Sequence, residues 1–193
     1  MEVLERWAGA APAGRALDLG SGDGGIALWL GRQGFVVDAV EVDRGKTRRL
    51  SNVRRGLPVV VHSVDLREFP LVPGTYSLIV ASSILHFLRP TELWPLADRL
   101  EAALMAQGLL IAEALTVDDP EAVERLASGE PQIEPNTFST SGPEGVIHFF
   151  EADELRRVFG NLEVLEYQEN RRLAPDSPRG YRSGATFVGR RTE

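Results

Sequence analysis

The residues best spaced to hold a ligand are a cluster of glycines and a few carboxylates in the first third of the chain. The run Arg15-Ala16-Leu17-Asp18-Leu19 breaks at once into Gly20-Ser21-Gly22-Asp23-Gly24-Gly25. A short, largely apolar run that ends in so many glycines reads as a strand entering a tight turn. Gly20 and Gly22 lack a Cβ, so the backbone there can take positive φ and approach a ligand closely. Glu41 follows 21 residues after Gly20, at the end of the next apolar segment. A carboxylate so placed can accept hydrogen bonds from both hydroxyls of a ribose. Turn and acid together point to a cofactor built on adenosine, bound at the carboxyl end of a doubly wound sheet.

Gly20, Gly22 and Gly25 also satisfy the glycine pattern of dinucleotide sites, in which a diphosphate lies on a helix N-terminus. Asp18 before the turn and Asp23 at the opening of the next helix set two carboxylates beside that position. They repel a diphosphate and suit a cofactor carrying an ammonium and a sulfonium. An NAD(P)-dependent oxidoreductase is the alternative, and a cofactor-binding protein without catalysis is a third. Asp65, after the third strand, either accepts a hydrogen bond from an adenine amino group or caps a helix.

With no cysteine, disulfides, thiolate metal sites and Cys nucleophiles are excluded. The three histidines, at 62, 86 and 148, are not at metal-ligand spacing, and no metal is expected. His86, just past the fourth strand, is the titratable group best placed for base work; its other reading is a satisfied side chain at the cleft rim. His148, beside Phe149 and Phe150, reads first as packing. Arg171, Arg172, Arg179 and Arg182 lie on the connection between the last two strands, where they either recognise an anionic substrate or solvate a loop. His86, His148, Arg171 and Arg179 are the substrate-side candidates.

The elements that must position these groups alternate in type. Strands are predicted at 15–19, 35–42, 57–61, 76–81 and 109–114, and helices at 26–33, at 44–55 and along Leu93, Leu96, Leu100 and Leu104. Thr91 is the expected N-cap of the last, with Pro95 in its first turn and Gly108 as its stop. Fully apolar strands alternating with helices call for a parallel sheet covered on both faces. A helix over 151–159 then precedes strands at 162–168 and 185–189 with no helix between them, so these pair antiparallel. The expectation is an α/β, doubly wound, Rossmann-like sheet of seven strands, mostly parallel, with a C-terminal antiparallel hairpin and helices on both faces.

The 193 residues carry a net charge of −7, and the length suits a single domain spanning 1–193. That balance argues against a nucleic-acid partner, since phosphate binding is dominated by Lys and Arg. No apolar run is long enough for a membrane span, and the start, Met1-Glu2-Val3-Leu4-Glu5-Arg6, does not read as a signal peptide, so a cytoplasmic protein is expected. Between 116 and 154 Arg125 is the only base against ten acids, and Pro120, Pro131, Pro135 and Pro143 punctuate the stretch. The segment at about 116–148 therefore reads as a long acidic excursion with a short helix near 120–128, and as the cover of the substrate side. Nothing in the sequence sets the oligomeric state.

Asp18-Leu19-Gly20-Ser21-Gly22-Asp23-Gly24, Glu41, Asp65 and Tyr76-Ser77-Leu78-Ile79-Val80-Ala81-Ser82 together resemble the motifs of class I S-adenosyl-L-methionine-dependent methyltransferases. Within that class, Val37 to Glu41, Ser82-Ser83-Ile84-Leu85-His86-Phe87-Leu88 and Phe150 to Leu155 look most like the tellurite-resistance (TehB-like) branch. The resemblance implies methyl transfer to a small-molecule acceptor by in-line displacement, leaving S-adenosyl-L-homocysteine. It implies Asp18 at the methionine amino group, Gly20, Ser21 and Gly22 along methionine and ribose, and Glu41 at the ribose hydroxyls, with Asp23 and Val42 also among the cofactor-binding residues. Asp65 with Leu66 would frame the adenine, and Ala81 with Ser82 would pass near the sulfonium. No catalytic residue is obligatory in such chemistry, since the sulfonium methyl is already activated and transfer needs mainly proximity and orientation. The chain departs from the branch in having no His in the loop before its last strand.

Overall fold

The computed structural model describes residues 2–142, 145–175, 177 and 179–193; Pro143, one of the turn residues noted above, lies outside them. Five strands, β1 (Arg15–Leu19), β2 (Val36–Glu41), β3 (Val59–Ser63), β4 (Tyr76–Ser82) and β5 (Leu104–Leu115), lie parallel. β9 (Glu163–Leu173) and β10 (Tyr181–Arg190) complete a sheet of order β3-β2-β1-β4-β5-β10-β9, in which β10 runs antiparallel to both its neighbours. This is the seven-stranded, mostly parallel sheet with an antiparallel ending that the sequence predicts.

Alternation along each strand divides the core in two. Leu78 and Val80 of β4 face one layer and Ile79 and Ala81 the other. The first layer is roofed by α1 (Glu2–Trp7), α2 (Gly25–Arg32) and α3 (Arg44–Val53) through Leu4, Leu30 and Leu50. The second is roofed by α4 (Pro90–Ala103) and α6 (Glu154–Val158) through Leu93, Leu96, Leu100 and Leu155. Burial on both faces is why the central strands read as continuous apolar runs. No described helix is long and apolar enough to cross a membrane.

Three expected helix signals around α4 fall elsewhere. The helix begins at Pro90 with Arg89 as N-cap residue, and Glu92 accepts a hydrogen bond from the Arg89 N–H at 3.1 Å, so Thr91 is inside it. Pro95 is consequently past the first turn and offers no N–H to the Thr91 carbonyl. Gly108 does not stop the helix, which ends at Ala103; it sits in β5, where a Cβ would lie 2.8 Å from the Met105 carbonyl and 2.9 Å from that of Tyr76. A close backbone approach, not a helix end, requires glycine there.

The acidic excursion is folded. It carries α5 (Pro120–Ala127) and a small antiparallel sheet of β6 (Gln132–Glu134), β7 (Thr137–Ser139) and β8 (Val146–His148). Ala122, Phe138, Ile147 and Phe149 form its own apolar cluster, with Leu115 and Val117 against it.

Candidate functional site

The carboxyl ends of the parallel strands converge on the glycine turn. Gly20 (φ +68°) and Gly22 (φ +55°) take the left-handed backbone expected of them. The turn is tied to β2 twice: the Ser21 N–H donates to the Val40 carbonyl at 2.9 Å, and the Gly22 N–H donates to Glu41 Oε2 at 2.9 Å. Glu41 Oε1 accepts from the Asp43 N–H, and Asp43 in turn caps α3. Glu41 thus braces the turn from within while lining a cleft with Gly20, Val42, Asp65, Leu66, Ile84 and Phe87. We refer to it as the first cleft.

Asp18 lies at the end of β1 beneath this turn, 1% exposed. Its carboxyl is pushed up to about 7, because burial disfavours the charge more than the Ala27 N–H supports it, with Glu41 adding repulsion. Its Oδ2 has no partner among the described residues. Asp18 is not itself among the residues lining the first cleft, but a buried carboxylate oxygen without a partner calls for a donor or a cation. This fits a cofactor with an ammonium group, and Glu41 fits one with vicinal hydroxyls.

The other expected cofactor residues are more dispersed. Asp23 is exposed and paired with Arg49 at 2.7 Å, so it does not confront a ligand, and repulsion of a diphosphate rests on Asp18 and Glu41. Ser21 is buried with an unpartnered Oγ but does not line the cleft. Ala81 is core, and the Ser82 hydroxyl donates to Glu113 at 2.5 Å. Asp65 lines the cleft, but both its oxygens are engaged by Arg67, whose N–H, Nε and Nη2 donate to it at 2.9, 2.9 and 2.5 Å. These bonds hold its carboxyl below the usual range. Asp65 thus closes a turn on Arg67, and no described helix begins there for it to cap. Arg67, Ile84 and Phe87 are lining residues that spacing did not single out; their one signal is position just after β3 or β4.

A second cleft, of about 490 Å³, opens on the other side of Phe87, which lines both. Ser83, His86, Arg125, Thr140, Arg172 and Arg182 contribute its polar groups, and Leu115 and Ile147 its apolar ones. Ser83 holds a positive φ of 57° at the bend after β4, a strained conformation for a non-glycine residue and one that clusters at functional sites. His86 is 4% exposed, its Nδ1 is unpartnered among the described residues, and burial, with Arg182 and His148 nearby, drives its pKa down to about 4. It is neutral at physiological pH.

Three of the four substrate-side candidates are not among the residues lining the second cleft. His148 is buried between Thr137 Oγ1 (2.9 Å from Nδ1) and Glu154 (3.1 Å from Nε2) and lines neither cleft; packing is its place. Arg171 stacks over the Tyr181 ring at 4.9 Å. Arg179 lies in an adjoining recess beside Pro120 and Ser177, which shares Glu121 and Arg182 with the second cleft. Alternation along β9 and β10 decides which arginines enter: Arg172 and Arg182, paired across the two strands, face the cleft. The hairpin does turn at the carboxyl end of the sheet, since Gly184 of β10 lies opposite Leu115 at the end of β5.

Replacing Gly20 by valine is expected to disrupt the turn, since a Cβ there would lie 2.6 Å from the Ile84 side chain on top of the positive-φ penalty. At Gly22 a Cβ meets nothing within 4 Å, so Gly22→Ala should cost only about 1–2 kcal/mol in the unliganded protein. Urea denaturation of both variants tests the difference; equal losses would mean that Ile84 does not sit over the turn.

Comparison with known proteins places this geometry. Residues 16–108 match a family model described as a methyltransferase domain. The chain is 34% identical over 176 residues to a tRNA1(Val) (adenine(37)-N6)-methyltransferase of Serratia proteamaculans, covering 86% of this chain. It spans only 62% of that protein's length. Among solved structures, a SAM-dependent methyltransferase of Methanosarcina mazei superposes with a TM-score of 0.80 at 15% identity, over 99% of this chain and 97% of the other. TehB of Haemophilus influenzae, one such neighbour among many, gives 0.74 at 20% identity, over 98% of this chain and 61% of the other. At these identities the structural likenesses establish the fold, and they do not single out the tellurite branch.

Proposed function

We propose that this chain, whose residues 16–108 match the methyltransferase domain, binds S-adenosyl-L-methionine in the first cleft and directs its methyl group to a small molecule held in the second. The observation that carries the reading is the meeting of the two clefts at Phe87: one lined by the glycine turn and Glu41, the other by His86 and arginines. When bound, the cofactor supplies an already activated methyl on sulfonium. Asp18 would take its ammonium group, Glu41 its ribose hydroxyls, and Val42, Val64 and Leu66 the flat adenine face. Ser83 and Ile84 separate the two clefts and orient what lies on either side.

His86 at neutral pH is a hydrogen-bond acceptor at Nδ1 or Nε2, depending on tautomer, and positions an O–H or N–H of the acceptor. The 116–148 segment supplies Glu121, Arg125, Thr140 and Ile147 to the second cleft, and we read it as the substrate-side cover of one 193-residue domain. The wording shared with the tellurite branch in 82–88 falls at the junction of the clefts and enters the proposal only there. A small acceptor is favoured over RNA because the net charge is −7 and two of the cleft's arginines, Arg125 and Arg182, are closely paired with acids.

Calorimetric titration with S-adenosyl-L-homocysteine and with NAD, followed by transfer of labelled methyl to a small-molecule panel and to total RNA, tests the reading. Tight binding of the homocysteine compound and label in small molecules is expected. NAD binding alone would favour the oxidoreductase, label confined to RNA would remove the small acceptor, and cofactor binding with no transfer to either would point to a non-catalytic protein. Glu41→Ala should weaken cofactor binding by about 1.5–3 kcal/mol, the worth of hydrogen bonds to a charged acceptor. It should also lower stability, because the Gly22 and Asp43 N–H groups lose their partner. Unchanged affinity by calorimetry would remove Glu41 from the site.

A further inference from the structure

The charges in the second cleft are unequally spoken for. Arg125 is held by Glu121 at 3.0 Å and by Glu130 at 2.6 Å. Arg182 donates to the buried Asp119 at 2.8 Å and lies 3.6 Å from Glu121. Arg172 differs. Its one ion pair among the described residues is with Glu113, from Nη1 to Oε1 at 3.5 Å, and the other oxygen of that carboxylate accepts the Ser82 hydroxyl at 2.5 Å. Among the described residues the Arg172 guanidinium donates no side-chain hydrogen bond, although it reaches into a cleft. Two residues lining the same cleft each bury a polar atom with no partner among the described residues: His86 its Nδ1 and Thr140 its Oγ1. Phe87, Leu115 and Ile147 form the apolar part of the wall, and Ser83, Ser141 and Gly142 complete it.

A half-exposed guanidinium that makes one long ion pair among the described residues can exchange water for an oxyanion, and the apolar wall beside it can take the body of a ligand. Resting on the reading of this cleft as the acceptor side, we infer that the methyl acceptor is a small organic anion: an apolar body against Phe87, Leu115 and Ile147, with a carboxylate or phosphate held by Arg172. Arg172 is the specificity-determining residue. Planar, bidentate recognition of an oxyanion is what a guanidinium does better than any other side chain. The acids of the 116–148 segment do not oppose this. Asp119 and Glu121 are consumed in holding Arg182 and Arg125, and among the described residues lining the cleft Glu121 is the one acid against three arginines.

The test uses the whole chain saturated with S-adenosyl-L-homocysteine and four probes of similar size: benzoate, phenyl phosphate, benzamide and benzylamine. Calorimetry or chemical-shift titration should show benzoate or phenyl phosphate binding at least tenfold tighter than neutral benzamide, with benzylamine weakest. The better of the two anions identifies the group. Arg172→Gln should weaken anion binding at least tenfold and leave benzamide unchanged. Arg171→Gln, the neighbour stacked on Tyr181, should change nothing. The inference is overturned if benzamide or benzylamine matches the anions, if no anion binds, or if Arg172→Gln leaves the preference intact. The homocysteine titration, run first, reports separately on the first cleft. Should it fail, the cofactor reading falls, and the same four probes on the unloaded protein still decide the anion preference.

Discussion

Asp119→Ala is expected to lower stability by about 3 kcal/mol and to free the 116–148 segment from the sheet. Asp119 is fully buried and carries three bonds at once. Its Oδ2 accepts from Arg182 Nε at 2.8 Å and from the Ser183 N–H at 2.9 Å, and its Oδ1 caps α5 through the Glu121 N–H at 3.1 Å. Breaking a buried pair from one side costs roughly 3–5 kcal/mol. The lower end applies because Arg182 is one-third exposed and Glu121 is close enough to receive it. The buried Ser183 N–H has no such relief. At about 2–4 °C per kcal/mol for a chain of this size, Tm should fall by roughly 6–12 °C.

The consequences should be local as well as global. Thr116 and Ser183 are bonded to each other beside Asp119, through hydroxyls at 3.0 Å and through backbone at 3.1 Å. Loss of Asp119 removes the third member of the hinge on which α5 and the small sheet stand. Hydrogen exchange should accelerate over 120–139 while β1, β2 and the glycine turn keep their protection, and S-adenosyl-L-homocysteine affinity should hold within a factor of two or three. If exchange rises uniformly over the chain, the segment is not a separately anchored cover. If Asp119→Asn, which keeps one acceptor oxygen, falls as far as Asp119→Ala, the ion pair is the dominant bond.

How far the sequence carries depends on which signals are local. The parallel half is legible because its determinants are close in sequence: apolar runs, glycines at the turn, an acid at the end of the next strand. The ends of α4 are not, because two strong local rules compete there. Thr91 is a good cap by type, but Arg89 followed by Pro90 has the better geometry, with Glu92 closing back on Arg89. Gly108 looks like a helix stop, and only the approach of the Tyr76 strand explains it. The strands of the small sheet are three residues each, too short for alternation to register. The second cleft was the least legible part. Ser83, Arg125, Thr140, Arg172 and Arg182 come from five separated stretches, and whether Arg171 or Arg172 enters depends on a one-residue register between β9 and β10 that the sequence does not set.

The largest effect on the first cleft is expected from Asp18→Asn, and it should have opposite signs for stability and for binding. The carboxyl stands at about 7 in the folded protein against an ordinary value of 3.8. Between those values the unfolded chain has already released the proton that the folded one retains. Wild-type stability therefore falls as pH rises from about 4 to about 7 and levels off above. Three pKa units correspond to roughly 4 kcal/mol, an upper figure for the penalty. An asparagine keeps an oxygen for the Ala27 N–H and has no charge to bury. The variant should match wild type near pH 4, lose the slope, and be the more stable protein at pH 8. Binding should move the other way. An ammonium group on the cofactor needs the ionised carboxylate, so wild-type affinity for S-adenosyl-L-homocysteine should rise as pH passes through 7. That of Asp18→Asn should be at least tenfold weaker at pH 8 and flat between pH 6 and 8. Urea denaturation at pH 4, 6 and 8 beside calorimetry at pH 6 and 8 measures both. Parallel stability profiles would mean that Asp18 is not the buried acid, and wild-type affinity in the variant would remove it from the ammonium site. A gain in stability coupled to a loss of binding is what a carboxylate kept in the core for a ligand should produce.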